Sequence, residues 1–504
     1  LENLLQKNMK RRAEKAREKL GPMLEQAGLK PEDFLPPPPS PVPEITLETL
    51  DMDELQKMIE RTQAEAKERQ LKAVEKAKEM LRPLGLDFDQ VQAAALKKSG
   101  GKPSIPAEKI LTELRQIKAD MEKAGLDVSE LPKTHGVDFR ELEAKLMSAQ
   151  AQMDQAYKKF AQHFPAMEGF SPEDTARLRE GFLQRLAEQK DFSAQVLTGR
   201  DFSGLDLRGI IFKETLLEDT NFSGADLSGA DLSGAVLVRA DLSGTKLRQA
   251  KLVEANLGKS NLTKADLSEA DLTGAALGEA NLDQTDLSGA NLKKCDLLKT
   301  VFNKTKLSQT QLPDTLFLET NLEGMDFSQA DVSGAIFLKA KLDGANFTQA
   351  KLVGTIFSEA SGQGVAFTGA DLTNARLVNN SNFSGANFND ACLDTACLVG
   401  ADLSGAAFVK SSLIQANCMQ ANLSDSDWTG AVAKQTNLIK ADLSGAKMIG
   451  VNLMEANLLK ARLVRADLRM ANLYGAEVMK VVLGNTNLDR ANLKNTKLAK
   501  WSPE

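Results

Sequence analysis

Acyl-transfer or hydrolytic chemistry needs a nucleophile with a base beside it, and histidine is the commonest base. This 504-residue sequence holds two histidines, His135 and His163. Neither stands near a serine or cysteine in a nucleophile motif. His163 follows Phe160 at heptad spacing and reads as a core or seam-edge residue. Ser99-Gly100-Gly101-Lys102-Pro103-Ser104 has the glycines and lysine of a phosphate loop. It lacks the first glycine at the required distance, and Pro103 replaces the Ser or Thr after the lysine, so it reads as a flexible loop. Cys295, Cys392, Cys397 and Cys418 lack zinc or disulfide-framework spacing, which fits a reducing compartment. The carboxylates are more numerous. Asp226, Asp231, Asp241, Asp266, Asp271 and Asp286 each precede a Leu, and such rows suit cations or imitate DNA phosphates. The plainer reading is that they solvate the surface and accept hydrogen bonds from turn amides. Charge favours the plainer one. From residue 191 onward Lys and Arg nearly offset Asp and Glu, leaving roughly -5. That is sparse for a DNA mimic, and the Gly-Gly-x-Gly-x-Asp pattern of calcium repeats is absent. The sequence therefore predicts no catalytic residue, cofactor, metal site or small-molecule substrate.

The carboxylates sit in a pattern that also dictates the fold. From Phe192 onward Leu or Phe recurs every fifth residue: Leu197, Phe202, Leu207, Phe212, Leu217, Phe222, Leu227, Leu232. Two positions earlier stands a small residue, such as Ala225, Ala230, Ala235, Ala240 or Thr245. Alternation in an extended segment points the small residue and the Leu to one side and the Asp or Asn between them to the other. The residue just after the Leu also points out, and the frequent Ser-Gly pair suits a turn. Strands this short bury nothing alone, but four of them closing into a coil do so when coils stack. About sixty units make about fifteen coils of about twenty residues, a rod on the order of 70 Å long. The register holds to Leu377, slips by one at Asn379-Asn380-Ser381, and resumes at Phe383 through Leu498. Gly362 and Ala433 leave core positions underfilled, and Cys418 and Cys295 take a core and a small inward position. These predict a bulge near 379–381 and a disturbance at 361–364.

Before residue 190 the composition is rich in Lys, Glu, Ala, Gln and Met. It reads as a helical segment (1–34), a Pro-rich polyproline II linker (35–46) and an α-helical hairpin or coiled-coil region (47–190). Within it, helices are expected at Leu1–Leu29, Leu47–Leu81, Pro106–Ala124 and Asp138–Phe164. The last carries a seam at Phe139, Leu142, Leu146, Ala149, Met153, Ala156 and Phe160. Ser171 followed by Pro172-Glu173-Asp174 is an N-cap signature for one more helix. The basic run Lys7, Lys10, Arg11, Arg12, Lys15, Arg17 and Lys19 reads as a solvated helix face balanced by Glu14 and Glu18. Residue 1 is Leu, a start that fits a piece of a longer chain, and no signal peptide or membrane-spanning run is expected.

The Ala-Asp/Asn-Leu-Ser-Gly unit resembles the pentapeptide-repeat protein family, whose repeat is A(D/N)LXX. The resemblance covers residues 191–500 and implies a mainly β, right-handed quadrilateral β-helix, preceded here by the α-helical, coiled-coil-like region. The family includes DNA-mimicking topoisomerase-binding proteins, secreted effectors and secretion adaptors. The helical, Pro-interrupted stretch leading into Arg200–Gly209 is similar to adaptors associated with bacterial type VI secretion spikes. That likeness implies a cytoplasmic, non-enzymatic scaffold that helps load a cargo or effector onto the spike. A secreted effector or targeting module, and a topoisomerase-binding mimic, are the rivals.

The residues that break the polar-outward rule are the candidate binding site. Leu316, Ile336 and Ile356 precede core Phe317, Phe337 and Phe357 at twenty-residue spacing, and Leu318 and Leu338 follow them. Their outward neighbours in the repeat are Asp296 and Arg376, so the stripe has polar ends. A second stripe joins Ile439, Leu459 and Met479, with Met454 and Tyr474 on the adjoining face. Apolar patches with polar rims are how protein interfaces look. The expected partner is a protein, with a homo-oligomer as the variant in which the partner is another copy; membrane and nucleic acid are not expected.

Overall fold

A computed structural model of the chain describes Ser148, Gln155 and residues 157–159, 161–163, 165–166 and 169–496. All belong to the second of two compact units, Gln92–Glu504. The helices expected at 1–29, 47–81 and 106–124, the linker, His135, the glycine-lysine loop, the basic run and the seam residues lie outside the described residues. So do residues 497–500.

Each five-residue unit of 191–496 folds the same way. In Phe222-Ser223-Gly224-Ala225 the Phe222 carbonyl accepts the Ala225 N–H at 2.9 Å, and Gly224 has φ 66°. That is a type II turn, in which the third residue must be left-handed. Glycine takes this conformation freely, yet forty other residues take it too, Glu214, Lys264 and Met470 among them. Of those forty only Thr395 is β-branched, as expected where a branch at Cβ raises the cost of positive φ. The residue before the core Leu or Phe pairs with its counterpart one coil on. Asp191 bridges Ile211, Val196 bridges Leu216, Asp201 bridges Asn221 and Asp206 bridges Asp226, all parallel. Four bridges per twenty residues define a four-sided coil, with faces I to IV named here from those four starting residues.

The expected inward set is the buried one. Core Leu and Phe side chains and the small Ala or Thr positions are almost all fully buried from Phe192 to Ala476. Rings stack at the strand repeat: Phe317, Phe337 and Phe357 on face II at 4.7 and 4.9 Å, Phe388, Phe408 and Trp428 on face IV at 4.9 and 4.8 Å. Rings from opposite faces meet edge to face, as Phe337 and Phe347 do at 6.0 Å, the arrangement that aromatic quadrupoles favour. Trp428 needs a partner for its buried N–H, and it donates to Ser426 Oγ at 2.8 Å from a position that elsewhere holds Ala. Ala433 is the next core position along the chain, so a small core residue follows the largest.

The bulge expected near 379–381 is present, whereas residues 361–364 keep the regular bridge and turn pattern and show no backbone disturbance. Asn379 and Asn380 are left-handed in succession (φ 56° and 58°), and the bridge spacing there lengthens from twenty to twenty-one, with Arg376 opposite Cys397. The buried Ser381 hydroxyl donates to the Phe357 and Val378 carbonyls and closes the bulge. At Gly362 a Cβ would run into the ring of Phe383. The neighbouring phenylalanine therefore occupies the space that a core leucine would take.

The β-helix begins under a lid. Helix α1 (Pro172–Glu188) is capped by Ser171, whose hydroxyl accepts the Asp174 N–H, as its sequence signature indicates. Its Phe182 packs on Phe192, Phe202 and Phe212, with centroids 4.7, 4.6 and 6.3 Å away. Arg179 donates to Asp201 and Ser203, and Arg185 lies over the Phe192 ring at 5.0 Å. Helix α1 is thus packed on the coil stack as its end cap, since a first coil without one would leave three Phe rings in water. Short strands β1 (Leu316–Leu318), β2 (Ile336–Leu338), β3 (Ile356–Ser358) and β4 (Arg376–Val378) pair in parallel, in that order, on face II.

Candidate functional site

Outward side chains decide what this rod can bind. On most faces they are consumed locally. Asp226 Oδ1 accepts the N–H and hydroxyl of Ser228, and the same cap recurs at Asp266, Asp271, Asp371 and Asp427. Hydrogen bonds from the hydroxyl hold the Asp226 carboxyl below its usual range. The remaining oxygen is answered from the next coil: Lys306 reaches Asp286 at 2.9 Å, Lys351 reaches Asp331 at 3.4 Å and Lys447 reaches Asp427 at 3.0 Å. These rows are charge-compensated ladders with turn-capping carboxylates, the plainer of the two readings open to the sequence.

The cysteines also follow the repeat. Cys418 is fully buried in the core, and Cys295 is packed against it, donating to the Leu272 carbonyl at 3.0 Å. Burial pushes both thiols up to about 12, so neither is a thiolate at neutral pH. Cys392 and Cys397 sit half-exposed at outward bridge positions of faces I and II. Among the described residues no group of three or more His, Cys, Asp or Glu side chains is arranged to hold a metal ion. No described helix is long and apolar enough to cross a membrane.

Face II is different. Register places Leu316, Ile336 and Ile356 side by side through β1, β2 and β3, ending at Arg376, with Leu318 opposite Leu338. Leu316 is 48% exposed, Leu318, Ile336 and Ile356 are half-buried, and Leu338 is 6% exposed. Leu338 therefore points outward without being open to solvent. Ile439, Leu459 and Met479 lie in the same column as Leu338. The one-residue bulge carries Val378 onto Val399, so residues 298, 318, 338, 358, 378, 399, 419, 439, 459 and 479 form one line. Of these only Ser358 is polar. What sequence spacing separates into two stripes is one apolar column about 45 Å long. Leu298, Val378, Val399 and Met419 complete the column, and only the step from Val378 to Val399 departs from a period of twenty. Met454 and the exposed Tyr474 fall on face I, beside this column's C-terminal end.

The N-terminal end of face II is covered by the chain itself. Tyr157 and Ala161 are buried against Leu216, Val236 and Val238. These two residues sit one position after the expected seam residues Ala156 and Phe160, and their partner is the β-helix. His163 ends the segment exposed, in a 3-10 turn (Ala161–His163), and is not a packed seam residue. The Tyr157 hydroxyl donates to Glu218 at 2.6 Å, and Thr198 donates to the other carboxylate oxygen at 2.9 Å. Glu218 is 1% exposed, and burial raises its pKa despite those hydrogen bonds. Burial and the Glu218 charge raise that of Tyr157 too. Arg239 clasps neighbouring Asp219 through both nitrogens, at 2.7 and 2.8 Å, and Lys158 pairs with Glu214. Asn256 closes the segment, its Nδ2 donating to the Lys158 carbonyl at 2.7 Å and to Gln162 Oε1 at 2.9 Å.

No curated protein matches the sequence. Solved structures similar to it include the plasmid-mediated fluoroquinolone resistance protein QnrB1, at 18% identity over 42% of this chain and 90% of that one, with a TM-score of 0.27. HetL, a pentapeptide repeat protein involved in heterocyst differentiation regulation in the cyanobacterium Nostoc, matches at 24% identity over 65% and 98% of the two chains, TM-score 0.13. A pentapeptide repeat protein of the Arabidopsis thaliana thylakoid lumen matches at 32% identity over 22% and 68%, TM-score 0.14. None of these superpositions is close enough to bear on mechanism. Sequence profiles are decisive: pentapeptide repeats match eight times between residues 201 and 485, and a pentapeptide repeat region matches 270–347. With 201–485 spanned, more than half of the chain, and the five-residue coil unit running from Phe192 onward, this protein belongs to the pentapeptide-repeat family.

Proposed function

We propose that this protein is a non-enzymatic docking scaffold whose working surface is face II. One observation carries the reading: a single apolar column persists on one face over ten coils, while the carboxylates of the Asp–Lys ladders cap their own turns and pair with lysines. Leu316, Leu318, Ile336, Ile356, Ile439, Leu459 and Met479 belong to that surface, with Leu338 as its buried floor and Met454 and Tyr474 at its edge. The partner is a protein. On the likeness of the region before Gly209 to spike-associated adaptors, its role is that of a cytoplasmic adaptor that brings a cargo to a secretion spike. Compensated charge ladders disfavour the DNA-mimic reading, because a mimic needs dense uncompensated negative charge.

The test is capture from a bacterial lysate with the wild-type chain and with Leu316→Asp combined with Ile439→Asp. Both changes are outward, and surface changes usually cost within about 0.5 kcal/mol, so the melting temperature should stay within a few degrees. Partner capture should fall. A double variant that melts normally and keeps every interaction would remove face II from consideration. Spike protein and cargo among the lost partners support the adaptor role, and a topoisomerase supports the mimic.

A further inference from the structure

Face II shows in its own first coils how it holds a ligand. A helical turn of this chain lies on it, its Tyr157 and Ala161 on the aliphatic outward side chains, four residues apart as one helix face requires. Asn256, in the bridge column beside them, accepts the Gly258 N–H at its Oδ1 and thereby aims its Nδ2 outward at the segment's Lys158 carbonyl. The same two columns recur downstream. Asn417, Asn437 and Asn457 occupy the column of Asn256, and Met419, Ile439 and Leu459 occupy that of Val238 and Gly258. Each asparagine makes the same local bond, accepting the N–H of Met419, Ile439 or Leu459 at 3.2, 3.1 and 3.1 Å. That bond turns each Nδ2 outward as it does in Asn256. On other faces some such amides are used in the ladder, as Asn422 donates to Asp402 and Asn346 to Asp326, while Asn221, Asn382 and Asn387 only accept at Oδ1. Among the described residues, those of Asn417, Asn437 and Asn457 donate to nothing.

We infer that coils 417–459 of face II are a second helix-docking site, built like the one that Tyr157, Lys158, Ala161 and Gln162 fill, and that its occupant is an amphipathic α-helix of a partner protein. The helix lies along the rod. Its apolar residues, three or four apart, sit on Met419, Ile439 and Leu459, and the asparagine amide at its C-terminal end receives a free carbonyl of its last turn, which lacks a partner within the helix. Coil rise and helix rise are commensurate: about 4.8 Å per coil is about three helical residues at 1.5 Å each, against one or two residues of an extended strand. This inference rests on the reading of face II as a docking surface.

A photo-crosslinking residue placed singly at Met419, Ile439 and Leu459 of the full chain, followed by mapping of the crosslinked partner residues from source-cell lysate, separates the two. The expected result is one partner segment whose crosslinked residue advances by three or four per coil. An advance of one or two means a strand, and crosslinks confined to this chain's own sequence mean a second copy. Either leaves face II a docking surface and overturns the helix. No crosslink at any of the three positions overturns the docking reading as well. Asn437→Asp with Asn457→Asp keeps the turn-capping oxygen and deletes the outward donors. It should leave the melting temperature unchanged and weaken capture by about tenfold, and undiminished capture would overturn the role given to the amides.

Discussion

At the residue scale, the small inward position is the strictest demand the coil makes. Ala230 is fully buried between core leucines. Ala230→Leu should overpack one coil and cost about 1–3 kcal/mol, read as a lowered urea midpoint. An unchanged midpoint would mean that the position does not face inward. Ser426 is the complementary case, a hydroxyl kept in the core because Trp428 has an N–H to satisfy. Ser426→Ala strands that donor and should cost about 1–3 kcal/mol. Serine at a position that favours alanine is visible in the sequence, but its reason is visible only once the tryptophan is placed two residues on.

At the scale of elements, two pieces outside the repeat hold the N-terminal end. Helix α1 contributes one large side chain to the core, and Phe182→Ala should cost about 3–5 kcal/mol. It should also raise amide exchange in the first coil, while the central coils keep their protection. Tyr157 is held by a titratable latch. Tyr157 and Thr198 face the Glu218 carboxyl, with Asp219 and Arg239 beside it. Its pKa in the docked state is raised above the ordinary 4.5. The protonated form is therefore the one that docking favours. The contribution is complete below that ordinary value and is lost as pH rises through the raised one. Hydrogen exchange of residues 157–159 and 161–163 should accelerate over that rise, and Glu218→Gln should flatten the dependence. A profile that falls with rising pH would contradict the burial of the carboxyl.

For the whole molecule, stacking of like coils makes stability a sum of neighbour terms. The interior coils have neighbours on both sides and fully buried cores, whereas Leu483, Leu488 and Leu493 near the C-terminal end are only partly buried. Amides of residues 478–496 should therefore exchange faster than those of 383–460. Uniform protection along the rod would show that the end coil is sealed as tightly as the start.

The period of five and the size alternation of Ala and Leu determined the coil by themselves. Stacked short strands admit one inward set, and each unit states which residues belong to it. The bulge at Asn379-Asn380 and the missing core side chain at Gly362 were equally legible, because any departure from so regular a period is conspicuous, but that Phe383 fills the space was not. The length of the apolar surface was not. Sequence spacing splits Leu318 and Leu338 from Ile439 and Leu459 because the extra residue at the bulge moves the column by one, and only backbone pairing carries Val378 onto Val399. Nor did periodicity predict what covers face II. Tyr157 and Glu218 are sixty-one residues apart, and no local pattern links them. A repeat determines contacts between units separated by a constant number of residues. Contacts between the repeat and anything outside it depend on where the chain is brought in space, and that is decided by tertiary packing.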